Sequence, residues 1–452
     1  MKHLFSSFLC IFFITTSLFS VQNCLDFDGS QSEVIVSNDT GLNPGTSGLT
    51  IEAWIKTSAE SGNDWPSIIS KLDHPYNGYQ LFITKSEYSN KIAFEIFIDG
   101  TWYGYWGQVI NDGKWHHIAG RRNGNQISLY KDGVAYNWVQ TGANGYLSSY
   151  ADLTIANSDD GGDAFVGNID EARVWNRVAS TADIQDNMFK KLDGTESNLQ
   201  AYYRFDQTSG HYLPDHSSNN NDGTLHWAMD NNDWVTSYAP IATSITEDLT
   251  NVRGIWSART SFASSIMTIS DPDISGNNRL IFGHNADTLA FESTNVPIGI
   301  ETRSARVWRV EEYGNLYGDI VFDSLEIFIR NENYRLLVDE DGDFSNAEII
   351  EGNYANSQFT VSNHEFEHSY YYSLGIAQAM LPVPQNVLCQ SENDSIFIYW
   401  DEVSSATSYK VYSSENPYIS PENWAFEEEI VEASWSEAIP VVKKFYYVKA
   451  VN

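Results

Sequence analysis

The chain has 452 residues, 42% of them hydrophobic and 14% aromatic, so it can bury large cores, and this length suggests about three domains. Its 60 acidic residues outnumber the 26 basic ones, and the formal net charge of -34 argues against nucleic acid or anionic membrane as a partner. The acidic side chains offer oxygen ligands to calcium, although solubility outside the cell explains the same charge without a metal.

The first 20 residues predict a secretory signal peptide. A basic start precedes an apolar run from Phe8 to Ile14, and no later segment is apolar for long enough to stop transfer through a membrane. We therefore expect a protein that is secreted or held on the cell surface, without insertion into the membrane. A lipid anchor on Cys24 is an alternative, although Gln22 and Asn23 stand where such a signal requires small residues.

Short runs of alternating polar and apolar residues dominate the rest of the chain. Gly, Asn, Asp and Ser recur between them at roughly eight- to twelve-residue intervals, which predicts an all-β protein built of sandwiches. One helix is predicted, from Thr181 to Lys191, with Ser180 as its N-cap. Cys24 and Cys389 are too few and too distant for a disulfide framework, so burial must stabilise the fold.

Residues 24–238 carry a series of motifs in a fixed order. They begin with the strand LDFDG, continue through KWHHIAG and ISLYKDG, and end with GNIDEARVWNR and a YYRFD strand. These motifs resemble the laminin-G-like and pentraxin-like jelly roll of the concanavalin A superfamily, and the resemblance implies a secreted recognition module. The YYRFD strand often opens such modules, whereas here it follows the closing strand. Because the first and last strands of a jelly roll can be sheet neighbours, we expect the architecture to be preserved.

Two further β regions follow. Residues 239–381 alternate with period two in segments such as NRLIFGHN and YRLLVDEDGDF, which predicts a β-sandwich module of unknown function. A proline pair beginning at Pro382 marks the next boundary. Residues 382–452 resemble a fibronectin type III domain in which Trp400 ends the second strand, but an obvious last strand is lacking. This combination resembles exported multidomain bacterial surface proteins.

The carboxylates of the first module form no evident catalytic pair. A β-glucanase of the same superfamily needs carboxylates in the pattern E-x-D-x-x-E, which is absent. Glu95 and Asp99 lie on one face of a strand, but Asp99 belongs to an Asp-Gly turn. Asp170 and Glu171 are adjacent and should point to opposite faces unless a bulge intervenes. We therefore expect no enzyme, with a divergent glycoside hydrolase as the weakest alternative.

The resemblance implies two calcium sites. In related sandwiches an acid of the closing strand helps to bind calcium beside the first strand; the matching acid is Asp170, and the first strand offers Asp26 and Asp28. In pentraxins the ligands come from a loop after the SK strand and from an acidic loop before F-V-G, and the matching residues are Asp73, Asn157, Asp159 and Asp160. Oxygen ligands of this kind suit calcium, although the same residues are also ordinary turn formers.

The segment TWYGYWG concentrates aromatic side chains between two strands. The period of two places Trp102 and Trp106 on one side and Tyr103 and Tyr105 on the other. Flat rings with polar edges are what sugar rings stack on, so this segment predicts a carbohydrate platform, with core filling as the alternative. Two further tryptophans could extend this surface or line the core: Trp65 and Trp138.

These observations predict a secreted, non-catalytic protein that binds a polysaccharide, a glycoprotein or another cell-surface or matrix ligand. Binding takes place through the first module, and calcium is an expected structural or ligand-bridging cofactor. The alternative is a structural or adhesive surface protein whose modules bind protein partners.

Overall fold

The computed structural model describes residues 22–451 except 38–39, 59–64, 74–75, 140, 160, 228, 243–248, 324, 326–332, 379–380, 421–422 and 441. The predicted signal peptide lies outside this range. The described chain is nearly all β, as predicted, and divides into two compact units, Met1–Ile376 and Ala377–Asn452. Among the described residues, no helix is long and apolar enough to cross a membrane.

The first sandwich comprises residues 22–238 and sixteen strands. These are β1 Asn23–Asp28, β2 Glu33–Val36, β3 Leu49–Lys56, β4 Ser67–Asp73, β5 Asn77–Ile83, β6 Lys91–Ile98, β7 Thr101–Val109, β8 Trp115–Asn123, β9 Gln126–Lys131, β10 Val134–Val139, β11 Leu153–Ile155, β12 Val166–Trp175, β13 Leu199–Tyr203, β14 Tyr212–Leu213, β15 Gly223–His226 and β16 Trp234–Thr236. Short 3-10 helices lie at Thr40–Leu42, Ser86–Tyr88 and Asn231–Asp233.

Two antiparallel sheets form this sandwich. Sheet A has the order β10-β9-β8-β3-β12-β1-β16, with β13 also paired to β12, and sheet B has the order β14-β15-β2-β11-β4-β5-β6-β7. Alternate residues of both sheets, such as Ile51, Ile169, Leu81 and Phe94, meet in one fully buried core. We call the sides turned away from this core the outer faces of sheets A and B.

The segment that follows the closing strand completes both sheets. Strand β15 pairs with β2 in sheet B, and β16 pairs with β1 in sheet A. The jelly roll is therefore preserved although YYRFD comes late in the chain, as the sequence predicts. The helix α1, Thr181–Asn187, begins at the predicted N-cap Ser180, whose side chain accepts a hydrogen bond from Asp183 N in a capping box.

The second sandwich comprises residues 239–376. Its strands are β17 Thr250–Ile255, β18 Ser261–Ser264, β19 Met267–Ser270, β20 Arg279–His284, β21 Phe291–Glu292, β22 Ile300–Ser304, β23 Trp308–Tyr313, β24 Tyr317–Phe322, β25 Tyr334–Asp339, β26 Glu348–Ile350, β27 Asn353–Ala355, β28 Gln358–Glu365 and β29 Tyr370–Ala377. One sheet has the order β17-β20-β23-β29-β22-β21 with β25 and β26 attached, and the other has the order β18-β19-β24-β28-β27.

The first and second sandwiches share a hydrophobic cluster and belong to one unit. Trp256 of the second packs on Trp54 of sheet A with ring centroids 5.5 Å apart, and its Nε1 donates to Trp115 O at 2.8 Å. Cys24, the residue considered for a lipid anchor, is fully buried in the same cluster. The predicted boundary near residue 238 thus separates two sandwiches that are not separate compact units.

The C-terminal unit contains two three-stranded sheets. Its strands are β30 Leu388–Glu392, β31 Ser395–Tyr399, β32 Ser408–Ser414, β33 Ala425–Ile430, β34 Ser434–Ala438 and β35 Phe445–Val451. One sheet has the order β30-β31-β34 and the other β33-β32-β35. Trp400 follows the second of these strands and packs on Tyr409 of the third, in the small core. The resemblance to a fibronectin type III domain stays a prediction.

Candidate functional site

Strand β7 lies at the edge of sheet B and carries the predicted aromatic residues. Trp102 and Trp106 lie on the outer face and are 44% and 36% exposed. Tyr103 and Tyr105 point the other way and pack against the core. The period of two therefore separates the four rings as predicted, and only the tryptophans are presented to solvent from this face.

Trp102 is held in one orientation by two neighbours. Its indole Nε1 donates a hydrogen bond to Glu95 Oε2 at 2.8 Å. Gly104 occupies the next outer-face position of β7, and a Cβ atom there would lie 2.5 Å from Cζ2 of the indole. The absence of a side chain at Gly104 therefore lets the ring of Trp102 lie across the strand towards Glu95.

Trp106 belongs to a compact aromatic group on the same face. Its ring centroid lies 5.7 Å from that of Trp65 and 5.0 Å from that of Tyr88, and Trp65 and Tyr88 are stacked. Lys85 Nζ lies 5.5 Å from the centroid of Trp65 and 2.7 Å from a carboxylate oxygen of Glu87. Trp65 thus extends the surface of β7, which is one of the two roles that its sequence allowed.

Glu95 is the principal titratable group beneath these rings. Burial raises the pKa of Glu95 to about 7, the charge of Asp163 adds to the rise, and the hydrogen bond from Trp102 opposes it. Asp99, which the sequence placed on the same strand face, is an exposed turn residue with a φ of +48°. The electrostatic neighbour of Glu95 is therefore Asp163, which lies 68 residues away in the chain, a pairing that the sequence analysis missed.

A row of polar residues continues from Glu95 across sheet B. Gln80 lies opposite Glu95 in β5, and Ser70 lies opposite Gln80 in β4. Gln80 Nε2, Ser70 Oγ and Asn157 Nδ2 are buried and make no hydrogen bond among the described residues. The outer face therefore changes from aromatic at β7 to buried and polar at its centre.

The acidic loop before β12 does not form the predicted ion site with Asp73. Asn157 is fully buried, and its Oδ1 accepts hydrogen bonds from Ser158 N and Asp163 N, which closes the loop. This loop contacts the beginning of β4 through Ser67 N and Asp163 O, whereas Asp73 ends β4, about 20 Å away at the usual rise per residue. Asp159 lies in the same loop, and Asp160 lies outside the described residues.

At the second predicted ion site the structure does not bring Asp28 and Asp170 together. Asp28 pairs with Val166, so Asp170 lies four residues further along β12, about 13 Å away. The carboxylate of Asp28 instead accepts hydrogen bonds from Ser30 and Ser32 in a turn. Among the described residues, no group of three or more His, Cys, Asp or Glu side chains could hold a metal ion.

Asp170 and Glu171 depart from simple strand alternation. The register between β12 and β3 shifts between Asp170 and Arg173, and Glu171 has a φ of +51°, so the strand contains a bulge. Both carboxylates are buried at 2% exposure, and burial together with the charge of Glu171 raises the pKa of Asp170. Strand alternation across this pair is therefore interrupted.

These two acids belong to a buried polar network rather than to an open groove. Arg173 Nη2 lies 2.5 Å from Glu171 Oε2, and Tyr202 donates to the same oxygen at 2.6 Å. Ser237 Oγ donates to Asp170 at 2.5 Å. His117 lies in this network, where burial and the charge of Arg173 lower its pKa. The arrangement stabilises the fold and offers no accessible pair of carboxylates.

Comparison with protein-family models agrees with this architecture. Residues 28–185 match the model of the laminin G type described as the concanavalin A-like lectin/glucanases superfamily. Residues 28–185 form a domain of this superfamily. Residues 220–370 match a domain of unknown function (DUF8202), which spans the end of the laminin G-like sandwich and most of the second one. A search of curated proteins gives no match.

Solved structures with detectable similarity include modules from several sources. A Bacteroides ovatus protein described as carbohydrate binding has 20% identity and a TM-score of 0.38, and the match covers 49% of this chain and 62% of that one. The CBM40 module of a Ruminococcus gnavus sialidase, bound to sialyllactose, has 16% identity and a TM-score of 0.28 over 35% and 93% of the two chains. Domains LG4-5 of mouse laminin alpha1 have 9% identity and a TM-score of 0.28 over 77% and 80%. Similarity at this level assigns no ligand to this chain.

Proposed function

We propose that the laminin G-like domain is a non-catalytic recognition module that binds carbohydrate on the outer face of sheet B. The observation that carries this proposal is the indole of Trp102, which is 44% exposed and held in place by Glu95 and Gly104. Exposing a large aromatic ring to water gains little for folding. A ring that is both exposed and fixed is suited to a ligand that stacks on its face.

The composition of this face favours a sugar over a purely apolar ligand. Trp102, Trp106 and Trp65 provide flat apolar surfaces, while Glu95 supplies a hydrogen-bond acceptor next to the first of them. Sugar rings present the same combination, since their C–H faces are apolar and their hydroxyl groups are donors and acceptors. The site thus combines stacking with a hydrogen bond that orients the ring.

The charges around the site favour neutral saccharides. Asp163 and Glu95 are close enough for the charge of one to raise the pKa of the other. The described cation that lies against these rings, Lys85, is already paired with Glu87. A carboxylated or sulfated glycan would therefore meet a negative field, whereas a neutral glycan would not.

The test is the binding of the full chain to soluble polysaccharides in affinity electrophoresis. The full chain is needed because the second sandwich covers hydrophobic side chains of sheet A. Laminarin, xylan and starch serve as neutral probes and alginate as the anionic probe. We expect retardation by at least one neutral polysaccharide, no retardation by alginate, and about tenfold weaker binding for Trp102→Ala.

A matched control is Trp138→Ala. Trp138 is 51% exposed, but it lies in β10 of sheet A and stacks on Tyr105, away from the outer face of sheet B. The Trp138→Ala variant should bind polysaccharide as the unaltered chain does. If no polysaccharide retards the full chain, or if both variants bind equally well, the proposal is wrong and protein ligands of an adhesive surface protein become the better explanation.

Export completes the proposal, and calcium assistance stays a prediction that no cluster of described side chains supports. Each has a separate test. A chelator should lower the unfolding temperature of the full chain if calcium binds only to the folded state. Cell fractionation should find the mature chain outside the cell or on its surface. The second sandwich and the C-terminal unit would then serve as spacers or attachment elements for the binding module.

A further inference from the structure

Trp227 is a second exposed and fixed indole of the laminin G-like sandwich. It follows β15 directly, is 66% exposed, and has a φ of +63°. Its Nε1 donates to Glu33 Oε1 at 2.8 Å, and Glu33 itself is buried in β2. A left-handed backbone is unfavourable for a bulky residue, and such strain is commonly stored at functional sites. Because the ring is mostly exposed, core packing does not explain why this conformation is kept.

The exposed side chains of β14 and β15 near Trp227 are polar or aromatic, and the partly buried Ile35 of β2 lies opposite Thr224. Thr224 and His226 are exposed at alternate positions of β15, while Leu225 between them is buried. Tyr212 of β14 lies opposite Thr224, is 56% exposed, and its hydroxyl donates to a carboxylate oxygen of Asp222. Rings, a hydroxyl and an imidazole therefore share the outer face of β14 and β15. A protein-binding hot spot would need an apolar surround that excludes water, which these side chains do not supply.

This group is separate from the aromatic site at β7. Strand β15 lies six strand positions from β7 in sheet B, which corresponds to about 29 Å at the usual strand spacing. Between them, Thr154, Ser70 and Gln80 of the outer face are almost fully buried. A single sugar ring cannot contact both groups, whereas a polysaccharide chain is long enough to do so.

We propose that Trp227, together with Tyr212, Thr224 and His226, is a second saccharide-stacking subsite that takes a neutral sugar ring of the same polysaccharide. The inference rests on the proposed function of the β7 face. Glu33 fixes the ring of Trp227 as Glu95 fixes that of Trp102, and both acceptors are carboxylates. Two subsites on one face increase the affinity for a polymer through effective concentration, but they do not increase the affinity for a short oligosaccharide.

The experiment compares polymer and oligosaccharide binding by the full chain and three variants. The polymer is whichever of laminarin, xylan and starch retards the unaltered chain most, and the oligosaccharide is the trisaccharide of the same sugar. For Trp227→Ala we expect polymer affinity to fall on the order of tenfold or more, with trisaccharide affinity unchanged within about twofold. Trp102→Ala should weaken both. Tyr150→Ala, which removes a side chain that is 91% exposed, should change neither.

A second measurement does not depend on a substitution at a strained position. In NMR spectra of the unaltered chain, the indole N–H signal assigned to Trp227 with the help of Trp227→Phe should shift when the polymer is added. The second subsite does not exist if Trp227→Ala binds the polymer normally and the indole N–H signal of Trp227 in the unaltered chain does not shift. This holds even if Trp102→Ala weakens binding and so supports the first subsite. If no polysaccharide binds at all, the proposed function fails and the second subsite fails with it.

Discussion

The two outer faces of the laminin G-like sandwich are built from similar residues, but one is covered and the other is exposed. Sheet A turns Trp54, His117 and Arg173 outward, and all three are buried under α1 and the second sandwich. Sheet B turns Trp102 and Trp106 outward, and both remain exposed. The same aromatic residue types are therefore covered on one face and exposed on the other.

Trp54 and Trp102 differ in the hydrogen-bond partner of the indole N–H. On sheet A the indole of Trp54 donates to Met188 O at 2.6 Å, a backbone group that belongs to the covering layer. On sheet B the indole of Trp102 donates to Glu95, a side chain of the sheet itself. Donation within a sheet does not by itself keep a ring open, since Trp175 of sheet A donates to Glu52 of the same sheet and is 1% exposed.

The largest effect is expected from removal of the second sandwich, which covers sheet A. A chain ending after Tyr238 would expose Trp54, Trp115 and Phe189, which are now buried against residues of the second sandwich. Exposure of three aromatic side chains costs several kcal/mol, about as much as the whole stability of a small domain. We expect this fragment to bind the dye ANS and to lose cooperative thermal unfolding. A cooperatively unfolding fragment that does not bind ANS would show that the cover is dispensable.

The next largest effect is expected from Arg173→Ala. The substitution leaves the carboxylates of Glu171 and Glu52 buried without the guanidinium that lies 2.5 and 3.5 Å from them. Loss of one partner from a buried ion pair costs about 3–5 kcal/mol, which urea denaturation of the full chain can measure.

The control for this prediction is Arg335→Ala. Arg335 lies 3.3 Å from Glu351, which is exposed, so its removal should cost about 1 kcal/mol or less. Equal losses for the two variants would mean that burial of the network on sheet A does not distinguish it from an ordinary surface pair.

On sheet B the corresponding substitution is Gly104→Ala. The new Cβ would lie 2.5 Å from the indole of Trp102 and must displace it from Glu95. We expect weaker polysaccharide binding by a few fold, corresponding to about 1 kcal/mol, and little change in the unfolding temperature. Unchanged binding would show that polysaccharide binding does not depend on the orientation of the Trp102 ring.

Local pattern predicted much of this architecture. Alternation placed the strands, Ser180 marked the start of α1, and the period of two separated Trp102 and Trp106 from Tyr103 and Tyr105. These features depend on residues close together in the chain. Motif order also predicted that the late strands would complete the two sheets, because the positions of first and last strands in a jelly roll are constrained by the architecture.

Features that depend on distant residues were not predictable in the same way. The bulge at Glu171 has no sequence signal of its own, so Asp170 and Glu171 were expected on opposite faces. The calcium ligands were matched by motif, but the register of β1 with β12 separates Asp28 from Asp170. The effect of Asp163 on Glu95 arises only when the loop before β12 folds over sheet B.

The smallest predicted effect, a change in stability, comes from Glu95→Gln. This substitution removes the charge of Glu95 but keeps an acceptor for the hydrogen bond of Trp102. The folded pKa of Glu95, about 7, lies above the ordinary value, so the folded state binds the proton more tightly than the unfolded state between about pH 4.5 and 7. Stability contributed by this group is therefore present below that interval and is lost as the pH rises through it. In Glu95→Gln the amide oxygen can still accept the hydrogen bond of Trp102, but no charge develops.

We expect Glu95→Gln to match the unaltered chain near pH 4.5 and to become more stable by about 1 kcal/mol at pH 8, a value reduced for the partial exposure of the site. Urea denaturation at a series of pH values measures the difference. Parallel curves would mean that Glu95 is ionised over the whole range, as it would be if solvent or a cation reached it. In that case the face around Trp102 would be more open than its contacts indicate, and its preference for neutral sugars would weaken. A difference in stability that develops only between pH 4.5 and 7 would instead show that burial and the charge of Asp163 raise the pKa of Glu95. These two features distinguish the face around Trp102 from an ordinary surface.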